Sequence, residues 1–501
     1  MIEGSRILLL QQRQWGQAIG HALARRLHAE GASLAAITFK PETDTFVRSQ
    51  TEVPYRHVLS HDTVMGDPSS VEGAERVSLA EVCEALGVPS IWPYVGTLRN
   101  HVRNYGDKYY YAFRQARSDD EIIAYVKAVY VVLHTLVERF DPDVALAPNF
   151  VAFPQIVLGR LLERRGRRMI TVTDTKVRGV YTFTYSLTSD DGPFINRIDE
   201  LNAGASSPSA DRATRYVAEG RTWPPAPVYA EKRAQRSFKA AVKDEVRPYV
   251  HIVRYLAARP TRSSHGQITL DNRPPRIILR DHYAHRRNAR DLRRLPYVDL
   301  RSIGEFAYLP LQFQPEATID VIAPYFNNQI EVARLVAQSL PGDLTLVVKE
   351  HPEMVGRRGR SYYEKLAYAP NVKLADPLVP GSELIESCSL VVSMSGTTLA
   401  ESALLRRPAI QLGELGMTRR LPNVTYHTDM TTLSAAMQGA LELDTDSPEY
   451  EQRLVNYVAA AYDAGFELDY MAAWLGDEKE SDELWKIHRE EIERALREKG
   501  S

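Results

Sequence analysis

The chain opens with a short apolar run at Arg6–Leu10, apolar positions at helical spacing over Gly16–Ala29, and a second apolar run at Ser33–Phe39 after Gly31. Short apolar runs bounded by turn residues read as buried strands, and the 3.6-residue period between them reads as an amphipathic helix. The pattern resumes at Glu121–Arg139, a long amphipathic helix that Asp141-Pro142-Asp143 stops. Val144–Ala147 then predicts a strand, Phe153–Arg164 a helix and Met169–Thr173 a further strand. Strands alternating with helices predict a parallel sheet with crossover helices, here an N-terminal Rossmann-like domain over residues 1–195.

Residues 196–275 read differently. Gly204–Ser209 and the run Trp223-Pro224-Pro225-Ala226-Pro227 have loop composition, with helical stretches at Lys232–Val242 and Arg247–Ala258. They predict a helical insert and linker. A second α/β domain follows over 276–445, with strands expected at Arg276–Leu279, Phe306–Leu309, Leu344–Val348, Val372–Leu374, Leu390–Ser393 and Ala409–Leu412. Thr318–Gln338 predicts one long helix and Thr397–Leu405 a short one. The tail, 446–501, is helical from about Pro448, and Asp482–Lys499 is polar enough to be a solvated helix. The fold expected is α/β: two doubly wound Rossmann-like domains facing a cleft, with C-terminal helices returning to the first.

Composition narrows the function. At 501 residues the chain is too long for a single core, and 44% hydrophobic with 25% charged residues is the balance of a soluble globular protein. A formal charge of −2, from 62 basic and 64 acidic residues, excludes nucleic-acid binding driven by bulk charge. Cys83 and Cys388 supply neither a disulfide framework nor a cysteine-built zinc site. Neither the first residues nor Ile122–Leu136, which carries Lys127 and His134, reads as a signal peptide or membrane span. A cytoplasmic protein is expected, one that meets a membrane only from its inner face.

Ligands of open α/β sheets bind beyond the carboxyl ends of the strands, which directs attention to three loops of the second domain. After Leu344–Val348 comes Lys349-Glu350-His351-Pro352-Glu353. Pro352 biases His351 away from the helical region, so the imidazole is presented at the strand end. There it can donate to a phosphate oxygen while Lys349 adds charge; a simple turn with a satisfied surface histidine accounts for the same residues. After Leu390–Val392 comes Ser393-Met394-Ser395-Gly396-Thr397-Thr398-Leu399-Ala400-Glu401. A helix N-terminus opening on small hydroxyl residues and Gly396 suits an anion, because free amides point out of the sheet. Ordinary N-capping by Ser395 or Thr397 needs one hydroxyl, and the loop has four. The third loop, Pro310-Leu311-Gln312-Phe313-Gln314-Pro315-Glu316, offers Gln312 and Gln314 to a ligand's polar groups. Glu316 is explained equally well as a carboxylate at a helix start. Together the loops predict a pocket for a phosphorylated, nucleotide-linked ligand.

The stretch Tyr308–Leu415, with PLQFQPE, VVKEHPE and VVSMSGTTLAESALLRRPAIQL, resembles the nucleotide-binding half of GT-B glycosyltransferases of bacterial capsule and surface-polysaccharide biosynthesis. It is most similar to the Kdo transferases, and more remotely to the sialyl- and polysialyltransferases. The resemblance implies that His351-Pro352 is the His-Pro motif whose histidine contacts the donor phosphate. It places Ser393, Ser395 and Thr397 in the serine-rich loop that holds phosphate or nucleoside. Gln312 and Glu316 match a Gln-x-x-x-Asp pattern with glutamate in place of aspartate. Glu401 falls where an acidic residue contacts a ribose or sugar hydroxyl. Asp190-Asp191-Gly192 matches an acidic motif whose second acid is the general base, although it also reads as a polar turn. Glu316, His351 and Asp191 are thus the catalytic candidates. Lys349, Pro352, Gly396 and Thr398 join Gln312, His351, Ser393, Ser395, Thr397 and Glu401 on the donor side.

On the acceptor side stand Asn149 and Asp174, at strand ends of the first domain. Arg286 and Arg287 stand with them, in an arginine-rich stretch from Arg273 to Arg301 that suits an anionic glycan, a lipid phosphate or an anionic membrane surface. Salt bridges to the acidic tail around Asp477–Glu483 are the plainer account of that stretch. The reaction implied is transfer of a sugar from a CMP- or UDP-linked donor to a glycan or lipid-linked acceptor. It needs neither metal nor other cofactor and has no nucleic-acid partner. A nucleotide-sugar isomerase of the UDP-GlcNAc 2-epimerase type and a non-catalytic GT-B-like binding protein remain alternatives.

Overall fold

The structure, a computed structural model, describes residues 2–106, 115–223, 238–257 and 273–498. The expected loop Pro224–Pro227, residues 232–237 of the first expected helical stretch, and the expected helix ends Ala258 and Lys499 lie outside the described residues.

The front sheet is built from β1 (Arg6–Gln12), β2 (Ser33–Phe39), β3 (His57–Ser60), β4 (Val144–Leu146), β5 (Arg168–Asp174) and β6 (Val180–Thr184). The rear sheet is built from β7 (Phe306–Pro310), β8 (Thr345–Lys349), β9 (Val372–Ala375), β10 (Leu390–Ser393), β11 (Ala409–Gln411) and β12 (Val424–Tyr426). A last strand, β13 (Phe466–Glu467), returns to the edge of the front sheet. The front order is β13-β6-β5-β4-β1-β2-β3, parallel from β3 to β5 and antiparallel beyond. The rear order is β9-β8-β7-β10-β11-β12, parallel throughout. Each sheet steps outward from its first strand and then restarts on the other side, which is the doubly wound order. The chain therefore has the expected fold class, a GT-B-like pair of Rossmann-like domains.

Central strands are apolar on both faces because helices cover both. Ile7 to Leu10 are wholly buried, as are Leu346 and Val347. Leu8 and Leu10 face the cluster of helix Asp119–Phe140, while Ile7 and Leu9 face the one containing Trp15 and Ile492. A third cluster joins the domains. In it Phe194, Ile198 and Val217 of the helices Pro193–Asn202 and Ala210–Gly220 meet Tyr457 and Val458 of helix Pro448–Ala464, beside Phe306 and Val391 of the rear sheet. Tyr457 Oη donates to the Thr175 carbonyl at 2.9 Å, fixing that helix across both domains. Polar contacts also cross. Arg103 Nη2 meets Asp320 Oδ1 at 2.7 Å with both side chains buried, and the Gly416 amide donates to the Thr188 carbonyl at 2.6 Å.

Three expected elements are corrected. Arg276–Leu279 is not a strand but the first turn of helix Pro275–Leu292, where Pro275 occupies the position that tolerates a missing amide. The long helix expected at Thr318–Gln338 is broken into Ala317–Asp320, a single turn at Pro324–Phe326 and Gln329–Ser339, because Pro324 cannot continue a helix. The terminal helix Glu478–Glu498 is not solvated all round: it buries Leu484, Trp485, Ile492 and Ala495 against the front domain.

Two buried histidines, His101 and His488, and the half-buried His61 are expected to make the molecule acid-labile. Burial pushes His61 down to about 3, with His101 and Lys40 adding repulsion, and pushes His101 and His488 down to about 4. The unfolded chain binds these protons below about pH 6.5 and the native state does not, so stability is lost as pH falls from there toward 4. With three such groups the slope reaches about 4 kcal/mol per pH unit. Thermal unfolding at pH 5.5 is expected several degrees below that at pH 7.5, and coincident curves would refute this.

Candidate functional site

The order β8-β7-β10 brings the ends of three strands side by side. The sheet restarts between β7 and β10, so the connections after those two strands leave toward opposite faces and open a crevice. Gln312 Nε2 reaches across it to Ser393 Oγ at 3.4 Å.

After β10 the chain turns at Gly396, whose φ of 106° only glycine adopts without strain. A Cβ there would meet nothing within 4 Å, so open space lies over this backbone. Helix Thr397–Leu404 begins at once, and no side chain caps it. The alternative, N-capping by Ser395 or Thr397, is not made, and among the described residues no acceptor reaches the amides of Thr397 and Thr398. Ser393 Oγ donates to the Ser395 carbonyl at 3.1 Å and stiffens the turn. Ser395 is 2% exposed, and its Oγ has no hydrogen-bond partner among the described residues. A buried hydroxyl left unpaired costs about 1–3 kcal/mol. Ser395→Ala is therefore expected to keep or raise the melting temperature while weakening an anionic ligand by about tenfold; a variant that melts lower and binds unchanged would contradict this.

At the end of β8, Lys349 is 4% exposed, and burial lowers its pKa while Glu350 and Asp376 pull it back. His351 Nδ1 accepts from the Glu353 amide at 3.2 Å, which leaves the ring proton on Nε2 as a donor. Burial lowers the His351 pKa against the opposing field of Glu350 and Glu316, and the imidazole is neutral near pH 7. Phe313 packs against the ring with centroids 5.9 Å apart. Pro352 starts a single 3-10 turn, Pro352–Met354, that carries the loop away from the sheet.

Beneath this loop lies a network that the sequence reading missed. Arg358 is fully buried and clamps both Glu350 oxygens, at 2.8 and 2.9 Å. Tyr363 Oη donates to Glu350 Oε2 at 2.7 Å, and the His351 amide donates to Oε1 at 2.6 Å. Arg358 Nη2 also donates to the Gln312 carbonyl at 2.9 Å, so one guanidinium ties the loops after β7 and β8 together. The available signal was Glu350 itself, next to His351, with an arginine eight positions on.

The loop after β7 is held from within. The Gln312 amide donates to Gln329 Oε1 at 2.6 Å, and Gln314 Nε2 donates to Asp320 Oδ1 at 3.1 Å. Both glutamines thus take part in the loop's own bonding. Glu316 is exposed and precedes a helix of four residues rather than a long one; Thr318 Oγ1 donates to its Oε2 at 3.1 Å. Its field reaches His351. Glu401, one turn into helix Thr397–Leu404, has its pKa raised by burial and lowered by Arg178 of the front domain.

The front-domain candidates are distributed more widely. Asp191 Oδ1 accepts from Thr184 Oγ1 at 3.2 Å and from the Tyr185 amide at 3.1 Å, which closes the polar turn before Gly192. Its neighbour Asp190 faces the rear domain, 3.6 Å from Arg419. Asn149 Oδ1 accepts from the Val151 amide beyond β4, and Asp174 at the end of β5 accepts from the Lys176 amide. Arg286 and Arg287 lie on helix Pro275–Leu292, where Arg286 pairs with Glu245 and lines a concavity of about 350 Å³. Neither makes a hydrogen bond or ion pair with His351, Ser395 or Glu401 among the described residues. The acidic tail does not neutralise this arginine stretch, because Asp482 pairs with Arg26 and Glu483 with Lys486.

No protein-family model and no curated protein matches the chain. Among solved structures it is similar to the UDP-GlcNAc 2-epimerase of Methanocaldococcus jannaschii, at 10% identity over 89% of this chain and 97% of that one, with a TM-score of 0.26. It is similar to KpsC of Thermosulfurimonas dismutans, a β-Kdo 2,7 transferase, at 13% identity over 72% and 88%, with a TM-score of 0.31. A third neighbour is the calicheamicin glycosyltransferase CalG4, at 13% identity over 95% and 99%, with a TM-score of 0.27. Likeness this low decides nothing between transfer and epimerisation.

Proposed function

We propose that the chain is a glycosyltransferase that moves a sugar from a CMP- or UDP-linked donor to a glycan or lipid-linked acceptor in bacterial surface-polysaccharide synthesis, on the cytoplasmic side. One observation carries this reading. An uncapped helix end and a buried hydroxyl at Ser395, without a partner among the described residues, follow β10, the Nε2–H of His351 follows β8, and both strands neighbour β7 at the switch point of the rear sheet.

When the bond from sugar to phosphate breaks, its electrons go to the leaving phosphate oxygen. His351 Nε2–H, Lys349 and the amides of Thr397 and Thr398 stabilise that charge, and as donors fixed by the fold they need little reorganisation. The chain's own groups balance the charge without a divalent cation. Glu401 takes a ribose or sugar hydroxyl. Glu316, exposed and with its field on His351, takes the proton from the acceptor hydroxyl, while Asp191 shapes the front-domain turn. Glu316→Gln is accordingly expected to lower turnover by about 10²–10⁴ with donor affinity unchanged; full turnover would reduce Glu316 to a helix-start residue.

Incubation with UDP-GlcNAc and other nucleotide sugars, with and without a lipid-linked oligosaccharide, tests the reading as a whole. Nucleotide release that requires acceptor supports transfer. Epimer formation from UDP-GlcNAc alone would replace it with the isomerase reading.

A further inference from the structure

Helix Phe238–Ala257 carries an apolar stripe that the rest of the described molecule leaves uncovered. Val242, Val246, Val250, Val253 and Leu256 are 40–68% exposed, and Tyr249, half exposed, stands at the stripe's edge against His282 and Tyr283. Their spacing places them on one arc of roughly 120°, the width of a face that is normally buried. The helix leans on helix Pro275–Leu292 through its other side, where Pro248, Ile252 and Tyr255 are half-buried. Lys243, Arg247 and Arg254 border the stripe; Arg287 and Arg290 of the neighbouring helix and Arg293 and Arg294 just after it are exposed, and Arg290 and Arg293 share a concavity with Glu245 of the first helix. The described residues 242–257 and 273–294 together hold eleven arginines and lysines against four carboxylates, in a chain whose overall charge is −2.

We infer that this two-helix face docks on an anionic lipid bilayer, with the stripe of helix Phe238–Ala257 in the headgroup–acyl boundary and the arginines on lipid phosphates. Soluble proteins seldom leave a contiguous apolar patch of this size bare, and a basic border around such a stripe is the composition of an interfacial helix. A second copy of the chain is disfavoured as the occupant. Self-association through a two-fold contact would bring this concentrated positive charge against itself. Nucleic acid would use the arginines and leave the apolar arc exposed. The inference stands apart from the sugar-transfer reading, although a surface-bound enzyme would meet a lipid-linked acceptor directly.

The test is flotation of the full chain with phosphatidylglycerol–phosphatidylcholine vesicles and with phosphatidylcholine vesicles, at low and high salt. Binding is expected to require phosphatidylglycerol and to weaken with salt. Arg290→Gln and Arg293→Gln should each lower partition about fivefold. Val253→Asp/Leu256→Asp should lower it at least tenfold with no change in the melting curve, since both side chains are exposed. Failure to bind either vesicle, or equal binding by these variants and the wild type, would overturn the inference. So would a dimer in light scattering that Val253→Asp dissociates. UDP titration of the same variants separates the two proposals: undiminished nucleotide binding with lost flotation leaves the transferase reading untouched.

Discussion

Replacing Arg358 by methionine is expected to destabilise the rear domain by about 3–5 kcal/mol, because it strands the Glu350 carboxylate in the interior. The two side chains are 0% and 1% exposed, and among the described residues Arg358 alone forms an ion pair with Glu350. The substitution also releases the Gln312 carbonyl, so both the loop after β7 and the loop after β8 lose a fixed partner. Pairing it with Glu350→Leu removes the stranded charge and is expected to recover most of the stability, since buried ion pairs are often replaceable by apolar residues. The His351 amide and the Tyr363 hydroxyl then lose their acceptor, and nucleotide affinity stays low. Thermal unfolding followed by UDP titration of the single and double variants separates the two effects. An unchanged melting temperature in Arg358→Met would remove the network from the account.

The second large effect is on turnover. His351→Ala is expected to fold normally, because the half-buried ring accepts only a local hydrogen bond from the Glu353 amide. It should lower turnover by about 10²–10³, the loss that follows removal of one fixed donor from a developing oxyanion. His351→Asn, which restores an N–H donor at similar reach, is expected to fall between the two. Steady-state rates with saturating donor give the answer, and full activity in the alanine variant would end the phosphate role of His351.

The sequence conveys the strands well, because a strand covered on both faces must be an unbroken apolar run, and Ile7–Leu10 and Leu346–Val348 are such runs. It conveys the site loops for the related reason that ligands lie at strand ends. It fails where tertiary context decides. Arg276–Leu279 has the composition of a strand, yet the pair Pro274-Pro275 starts a helix there. Glu478–Glu498 looks solvated until Trp485 and Ile492 meet the front domain, a contact made across most of the chain's length. Arg358 sits in a basic run that suggests solvent, and only the fold brings Glu350 and Tyr363 to it. Asp320 is similar: its partner Arg103 comes from the other domain.

A crystal structure with UDP or CMP bound tests the central claim most directly. A phosphate oxygen is expected within about 2.7–3.2 Å of His351 Nε2 and of Ser395 Oγ, with the amides of Thr397 and Thr398 turned toward the same group. A nucleotide bound elsewhere, or a phosphate that leaves Ser395 Oγ unpaired, would contradict it.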